Sequence, residues 1–504
     1  MSGDQLLASS KRCVDEGLEA VVAANPGFVL LPEQRVVVER GRVLQGPSRR
    51  TGVALVSGGG SGHEPFPVGY VGAGMLAASV AGHVFTSPPA ASVAAALTAV
   101  GKDNPDGVLV IVFNYTGDRI NFGLAVERCR AAGVKVEMYV SGDDSALTKL
   151  EGTAGRRGLC GTMFILKIVG ALVERGGSMA EALDTCRRVS EATGTIGVAA
   201  GGCTLPGASA PLFTVAAGQL ELGLGVHGEA GAATIPSGSP REVVEAMLAH
   251  LTRQDSATRL PLQRGDEVAV IVNNLGCLTH LEMSNITKEV IMQLKTLGVK
   301  VVRVYPGPIM TSLDMRGFHV SVLRLRDPSW LALLDAPTAA PAWSAPCLVT
   351  GDTEGEVNVP NLNLTPCHEK SENTYTLREA SHVRALQKCL EAVVAKMPQY
   401  EQGLNALDAE CGDGDCGSTF LQGLAGLVLD ALVPAVEALE GSKDHEDLRM
   451  VLKAMAAAAE EGAQRTTSMK PRAGRASYVR QEKLRGEDAG ARCVALVLDA
   501  LCRH

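Results

Sequence analysis

Between about residues 50 and 330, short apolar runs alternate with stretches whose apolar positions recur at helical spacing. VALVSGGG (53–60), VLVIVFNYTGD (108–118), VKVEMYVSGDD (134–144) and TIGVAAGG (195–202) each read as a buried strand ending in a glycine or polar turn. EVAVIVNNLG (267–276) and KVVRVYPGP (300–308) repeat the pattern, with helices expected between strands, as at 163–176 and 178–193. Strands alternating with helices predict an α/β region, 1–335, of two subdomains with parallel or mixed sheets. Ligands bind such sheets outside the carboxyl ends of the strands. The stretch 336–373 is rich in Pro, Ala, Thr and Asn, holds no period, and reads as a linker. From 374 to 504 the pattern is helical only, as in REASHVRALQKCLEAVVAKM, which predicts a second, all-α domain.

Composition narrows the function classes. The chain has 504 residues, 46% hydrophobic and 20% charged, with a net charge of -8. That balance gives no electrostatic support to nucleic-acid or membrane-surface binding. No run approaches the roughly 18 apolar residues of a membrane helix. The start, MSGDQLLASSKRCVDEGLEA, shows no apolar export core. Thirteen scattered cysteines then point to a cytosolic chain with reduced thiols. The 56 glycines imply many tight turns or close backbone approaches.

Four places could carry chemistry. In SGGGSGHEP (57–65) a strand feeds a glycine-rich turn and then His63. Neither a dinucleotide fingerprint nor a lysine-bearing phosphate loop fits. Gly60, Ser61 and Gly62 either bring backbone N–H groups to a small polar ligand or simply make a tight turn beside a structural His. In NYTGD, Asp118 follows another strand, as a helix cap or as an acid/base partner of His63. In ELGLGVHGEAG (221–231) His227 stands between glycines that leave it exposed, with Glu221 and Glu229 flanking it. It lacks companion metal ligands, and a neutral imidazole there can act as a nucleophile. In LNALDAECGDGDCGST, Asp408, Asp413 and Asp415 can converge if the first ends a helix. Clustered carboxylates repel unless a cation sits between them, so they mark a hard divalent metal site or a plain acidic turn. Leu424 stands where an EF-hand would need its bidentate Glu.

Taken in order, SGGGSGHEP, NYTGDRINFG, RRGLCGT, ELGLGVHGEAG, TSLDM and GDGDCG resemble the dihydroxyacetone kinase family (glycerone kinases or triokinases) in its single-chain, two-domain form. The resemblance implies ATP-dependent phosphorylation of dihydroxyacetone and D-glyceraldehyde, with the substrate held as a covalent hemiaminal on His227. It implies acid/base roles for His63 and Asp118, and substrate contacts from Gly60, Ser61, Gly62, His63 and position 113. Asp408, Asp413 and Asp415 would hold Mg²⁺ against the ATP phosphates. Asp413, Gly414, Asp415 and Cys416, with Arg475 and Ser477 of GRASYV, would adjoin the nucleotide. The family further implies a cytoplasmic homodimer. Its animal members also cleave FAD to cyclic FMN, a reaction for which Mn²⁺ or Co²⁺ can serve.

Two features depart from the family pattern. Phe113 stands where the family usually has Lys. A GGSSGALYG-like phosphate loop and a later GDRTMLD-like segment are missing, so the nucleotide domain is expected to be an incomplete helical barrel. That leaves a second reading, a carbonyl-binding protein with weak or no kinase activity, and a third, FAD cleavage at the same metal site.

Overall fold

The computed structural model describes residues 6–7, 10–44, 50–149, 155–229, 231–344 and 347–348, and beyond these 388, 392–393, 395–409, 416, 456–457, 459–461, 463–464 and 489–502. The chain divides into two compact units, Met1–Val357 and Asn358–His504.

The first unit holds two sheets. One contains β1 (Phe28–Leu31), β2 (Val36–Glu39), β3 (Ala54–Ser61), β4 (Ala78–Val84), β5 (Val108–Phe113) and β6 (Val136–Ser141), in the order β1-β2-β4-β3-β5-β6. The other contains β7 (Thr193–Ala199), β8 (Gln219–Leu222), β9 (Ala233–Pro236), β10 (Glu267–Asn274), β11 (Lys300–Gly307), β12 (Gly317–Arg324) and β13 (Cys347–Leu348), in the order β13-β11-β10-β12-β7-β8-β9. β4, β3, β5 and β6 run parallel, while β1 and β2 pair antiparallel at the edge. β10 is parallel to β11 and antiparallel to β12, so both sheets are mixed. All six strands expected from the sequence are present. The β1–β2 hairpin, β4, β8, β9, β12 and β13 join them; β1, β2, β8, β9 and β13 have two to four residues each, and β4 is rich in Ala and Gly.

Strand alternation builds three cores. Leu109, Ile111 and Phe113 of β5 face a central core that also receives Ala269 and Ile271 of β10 and Leu323 of β12. Val108, Val110 and Val112 point the other way, onto helices α3 (Ala90–Gly101) and α4 (Thr116–Ala131). Val268, Val270 and Val272 likewise cover α7 (Pro240–Thr252) and α8 (His280–Thr296). Continuous apolar strands are what two covered faces require. Helix α5 (Thr162–Glu174) is buried almost all round, which fits its apolar sequence. Its Lys167 is fully buried and donates to Leu333 O at 2.7 Å. Helix α6 (Met179–Glu191) begins at a capping box of Ser178 and Glu181. Helices α1 (Cys13–Ala24), α2 (Arg40–Val43) and α9 (Pro328–Leu334) complete the unit. Residues 336–344, at the start of the expected linker, pack on it: Ala340 is buried and Trp343 lies 4.8 Å from the Tyr305 ring.

In the second unit every described element is helical. Glu401–Asp408, the short helix Met397–Tyr400 before it and Ala489–Cys502 meet through Met397, Leu404, Cys493 and Val497. No helix among the described residues is long and apolar enough to cross a membrane. Cys13, Cys129, Cys160, Cys186, Cys203, Cys277 and Cys493 form no disulfide.

Candidate active site

His63 leaves the carboxyl end of β3, and the strand itself explains the glycine run. Gly58, Gly59 and Gly60 are not a turn, as their composition suggests, but the last residues of a fully buried strand. A Cβ on Gly58 would sit 2.2 Å from Val80 O, and one on Gly60 would sit 2.7 Å from Thr86 N. Glycine therefore lets the backbone after β4 close over β3. The turn comes at Gly62, whose φ of +98° suits glycine. Its N–H donates to the Glu64 carboxylate, at 3.0 and 3.2 Å to the two oxygens. The Ser61 hydroxyl donates to Gly82 O at 2.9 Å. These two groups thus hold the turn in shape.

His63 is 3% exposed. Its Nδ1 lies 2.9 Å from Thr311 O and its Nε2 lies 3.0 Å from His227 Nε2. The segment after β11 clamps this turn, with Thr311 N donating to His63 O and Leu313 N to Gly62 O. Phe85 stacks on the His63 ring at 5.0 Å, from a backbone with φ of +53°. A bulky residue rarely adopts that conformation, and here it aims the ring at the site.

His227 is not on a bare loop, as its glycine neighbours suggest. It is half-buried, with Phe85 at 5.2 Å, Tyr115 at 4.7 Å and His63 at 4.8 Å, all edge-on to it. The loop folds inward because its acids turn back on it. Glu229 accepts from His227 N at 2.8 Å, and Glu221 accepts from Gly231 N at 2.8 Å. Arg157 braces the loop by donating to Gly223 O at 2.7 Å and pairing with Glu229 at 3.4 Å. Its Nε is fixed by Asp144 at 2.7 Å. Burial, then the charge of Arg157, depresses His227 to about 4. Burial, then His227, depresses His63 to about 3. Both imidazoles are therefore neutral near pH 7.

Asp118 lies in the first turn of α4 but caps nothing. The N-cap is Tyr115, without a side-chain cap, and the Asp118 carboxylate instead accepts from the Ser87 hydroxyl. Burial pushes it up to about 6, against the Ser87 hydrogen bond. Asp118 and His63 do not bond to each other. They join through one turn, whose Phe85 stacks on His63 and whose Ser87 holds Asp118. Phe113 is buried in the central core and packs on Phe66 at 4.6 Å.

In the second unit Asp408 ends the helix Glu401–Asp408, as expected, and is half-buried. Cys416 is helical and half-buried. Asp413, Gly414, Asp415, Arg475 and Ser477 lie outside the described residues.

Sequence reasoning missed Tyr115, Thr311, Arg157, Glu229 and Ser87 as site residues. Most of them stand inside the quoted motifs, but backbone bonds and bracing leave no pattern of their own.

Comparison with known proteins adds an independent line. Residues 19–342 match the Dak1 domain and residues 426–503 the DAK2 domain. Human triokinase/FMN cyclase is 42% identical over 421 residues, covering 83% of this chain and 71% of its own. Citrobacter freundii dihydroxyacetone kinase is 32% identical over 573 aligned positions, 97% of each chain. The crystal structure of the C. freundii enzyme with AMP-PNP and Mg²⁺ superposes with a TM-score of 0.62 at 28% identity, covering 99% of each chain.

Proposed function

The chain belongs to the dihydroxyacetone kinase family, and on that premise we propose that it phosphorylates dihydroxyacetone and D-glyceraldehyde with ATP, holding the carbonyl on His227. The contact between the two neutral imidazoles, 3.0 Å apart, carries this reading. His227 is half-buried among the rings of Phe85, Tyr115 and His63, so its nitrogen meets a small ligand against aromatic walls. Attack on a carbonyl carbon forms a C–N bond, and the C=O π pair moves to oxygen. That step selects ketones and aldehydes over glycerol. His63 and Asp118 then serve the hydroxyl that receives the phosphoryl group, Asp118 as the base.

Phosphoryl transfer is mainly positioning and charge neutralisation. Asp408, at a helix end, offers the oxygen donor that Mg²⁺ takes, and we assign Asp413 and Asp415 to the same ion set. Mg²⁺ bound there would neutralise charge on the ATP phosphates. Residues 374–504 are read as the nucleotide-binding domain, all-α and shortened. The 573 aligned positions with the C. freundii kinase exceed the 504 residues of this chain, so that relative carries residues within the matched span that this chain lacks. The same observation favours a second reading, a carbonyl-binding protein with little kinase activity. The human relative's name, triokinase/FMN cyclase, supports a third activity, FAD cleavage to cyclic FMN, which we assign to the same ion site with Mn²⁺ or Co²⁺. A cytoplasmic homodimer fits the family.

The deciding experiment gives the full chain [2-¹³C]dihydroxyacetone and follows the carbonyl carbon by NMR, in parallel with ADP release in Mg·ATP. The parent should convert the ketone signal to a tetrahedral carbon and His227→Ala should not. Equal signals from the two would remove His227 as the nucleophile.

A further inference from the structure

Tyr115 is the last residue before α4, and its ring stands edge-on to His227, with centroids 4.7 Å apart and planes at 88°. The ring is half-buried, but the hydroxyl at its inner end is fully buried. Among the described residues that hydroxyl has no hydrogen-bond partner. Such a group is costly: a buried donor without an acceptor loses its hydration and gains nothing in return. Tyr70 shows the contrast in the same core, its buried hydroxyl donating to Ile309 O at 2.6 Å.

The surroundings say what Tyr115 is waiting for. Burial holds its proton on, and the charges that bear on the hydroxyl are those of Glu229, Arg157, Asp144 and Asp143. Arg157 and Glu229 are already committed, to Asp144, Gly223 O, His227 N and each other. Position 115 is fixed from both sides. Its N–H donates to Phe113 O at 2.7 Å, and its ring is held against the imidazole. The result is a rigid donor beside the one nucleophile of the site, satisfied by none of the described residues.

We propose that the Tyr115 hydroxyl donates a hydrogen bond to the oxygen of the carbonyl compound captured by His227. This rests on the hemiaminal reading above and adds the group that recognises the oxygen. When the imidazole nitrogen bonds to the carbonyl carbon, the π pair moves to oxygen and charge gathers there. The proton released by the imidazole ends on that oxygen, giving a neutral hydroxyl. Tyr115 keeps its own proton throughout and donates to the oxygen before and after it is protonated. Nothing is oxidised or reduced. The donor favours the adduct over the free ketone, because the hydrogen bond strengthens as charge moves onto oxygen.

Tyr115→Phe keeps the ring wall and removes only the hydroxyl. For [2-¹³C]dihydroxyacetone titrated into the full chain, affinity should fall about three- to tenfold, the range for one neutral hydrogen bond. Without ketone, the melting temperature of Tyr115→Phe should equal or exceed that of the parent, since an unsatisfied group has been deleted. Tyr115→Leu, which also removes the ring wall, should bind more weakly still. Equal affinity for Tyr115→Phe and parent would overturn the proposal. So would a lower melting temperature of the ketone-free Phe variant, which would make the hydroxyl a structural group. A parent that shows no more adduct than His227→Ala would instead bring down the hemiaminal reading, and this proposal with it.

Discussion

The Nε2 atoms of His63 and His227 lie 3.0 Å apart, and the proton between them belongs to His227. The Thr311 carbonyl can only accept, so His63 Nδ1 carries the proton that points at it. In a neutral ring that leaves His63 Nε2 as the acceptor. The two rings satisfy each other, and for a carbonyl carbon to bond at His227 Nε2 this proton passes to His63 Nε2, which can return it to the oxygen of the adduct.

The same burial makes the fold acid-sensitive. His63, His227 and His319 are depressed to about 3, 4 and 3, each mainly by burial. The unfolded chain takes up protons near an ordinary pKa of about 6.5 that the folded chain refuses. Their contribution is therefore complete above about pH 6.5 and is lost as pH falls toward 4. Asp118 acts in the opposite sense. Its folded value of about 6 lies above the ordinary carboxylate value, so its penalty eases as pH drops through 6. Glu64 and Asp143, also raised by burial, act in the same sense as Asp118, but the three imidazoles carry the larger shifts and prevail. The urea midpoint should fall between pH 7 and pH 5, and an unchanged midpoint would contradict the neutral buried rings.

Asp118 should govern rate more than binding. A base acts in the transition state, so Asp118→Asn should lower kcat by about 10²- to 10⁴-fold while KM for dihydroxyacetone moves little. Only the ionised form can take a proton. With a value of about 6, kcat of the parent should decline as pH falls below 6, and the Asn variant should lack that limb. Coupled ADP-release rates from pH 5 to 8 test both points. A large KM change at constant kcat would return Asp118 to a substrate-holding role.

How far the sequence exposes this site depends on the kind of interaction. β5 and Asp118 are plain in it: an unbroken apolar run needs two covered faces, and the polar residues after it must lie at the strand's carboxyl end. His63 stands out for the same reason, and His227 for the glycines on either side of it. Their contact does not, because they are 164 residues apart and meet only when Thr311 and Leu313 clamp the turn at Gly62. The exposure of His227 was misjudged because glycine signals freedom, and the sequence is silent on Glu229 and Arg157 pulling the loop in. Gly58 to Gly60 mislead likewise. Gly58 and Gly60 are glycines because Val80, and Phe85 with Thr86, leave no room for a Cβ, a fact about β4 and the turn after it rather than about β3.

His319 and Gly197 are another such pair. His319 on β12 is fully buried, and among the described residues neither of its ring nitrogens has a partner. Gly197 faces it on β7, and a Cβ there would lie 2.4 Å from His319 Cδ2. Gly197→Ala should destabilise the protein by about 1–3 kcal/mol, as an overpacked core does. His319→Ala removes the obstructing ring, so the double variant should show less loss than the two single losses added. Strict additivity in urea denaturation would mean that the ring moves aside freely.

The nucleotide half poses the sharpest quantitative test. Phosphates need hydrogen-bond partners beyond the metal ion, and we read this chain as lacking the phosphate loop that the family resemblance implies. Each missing charge-assisted hydrogen bond is worth roughly 1.5–3 kcal/mol. Losing two or three would weaken ATP binding by about two to six orders of magnitude, at about 1.4 kcal/mol per tenfold step. Dihydroxyacetone capture should be untouched, since His227 and its aromatic walls lie in the first unit. Calorimetric titration of Mg·ATP into this chain and into a version with the missing segments restored separates the two halves. Expected is much tighter nucleotide binding and faster ADP release in the restored chain, with equal ¹³C adduct signals in both. Equal ATP affinity would show that the helices present already surround the phosphates, and the kinase reading would then stand without reservation for the chain as it is.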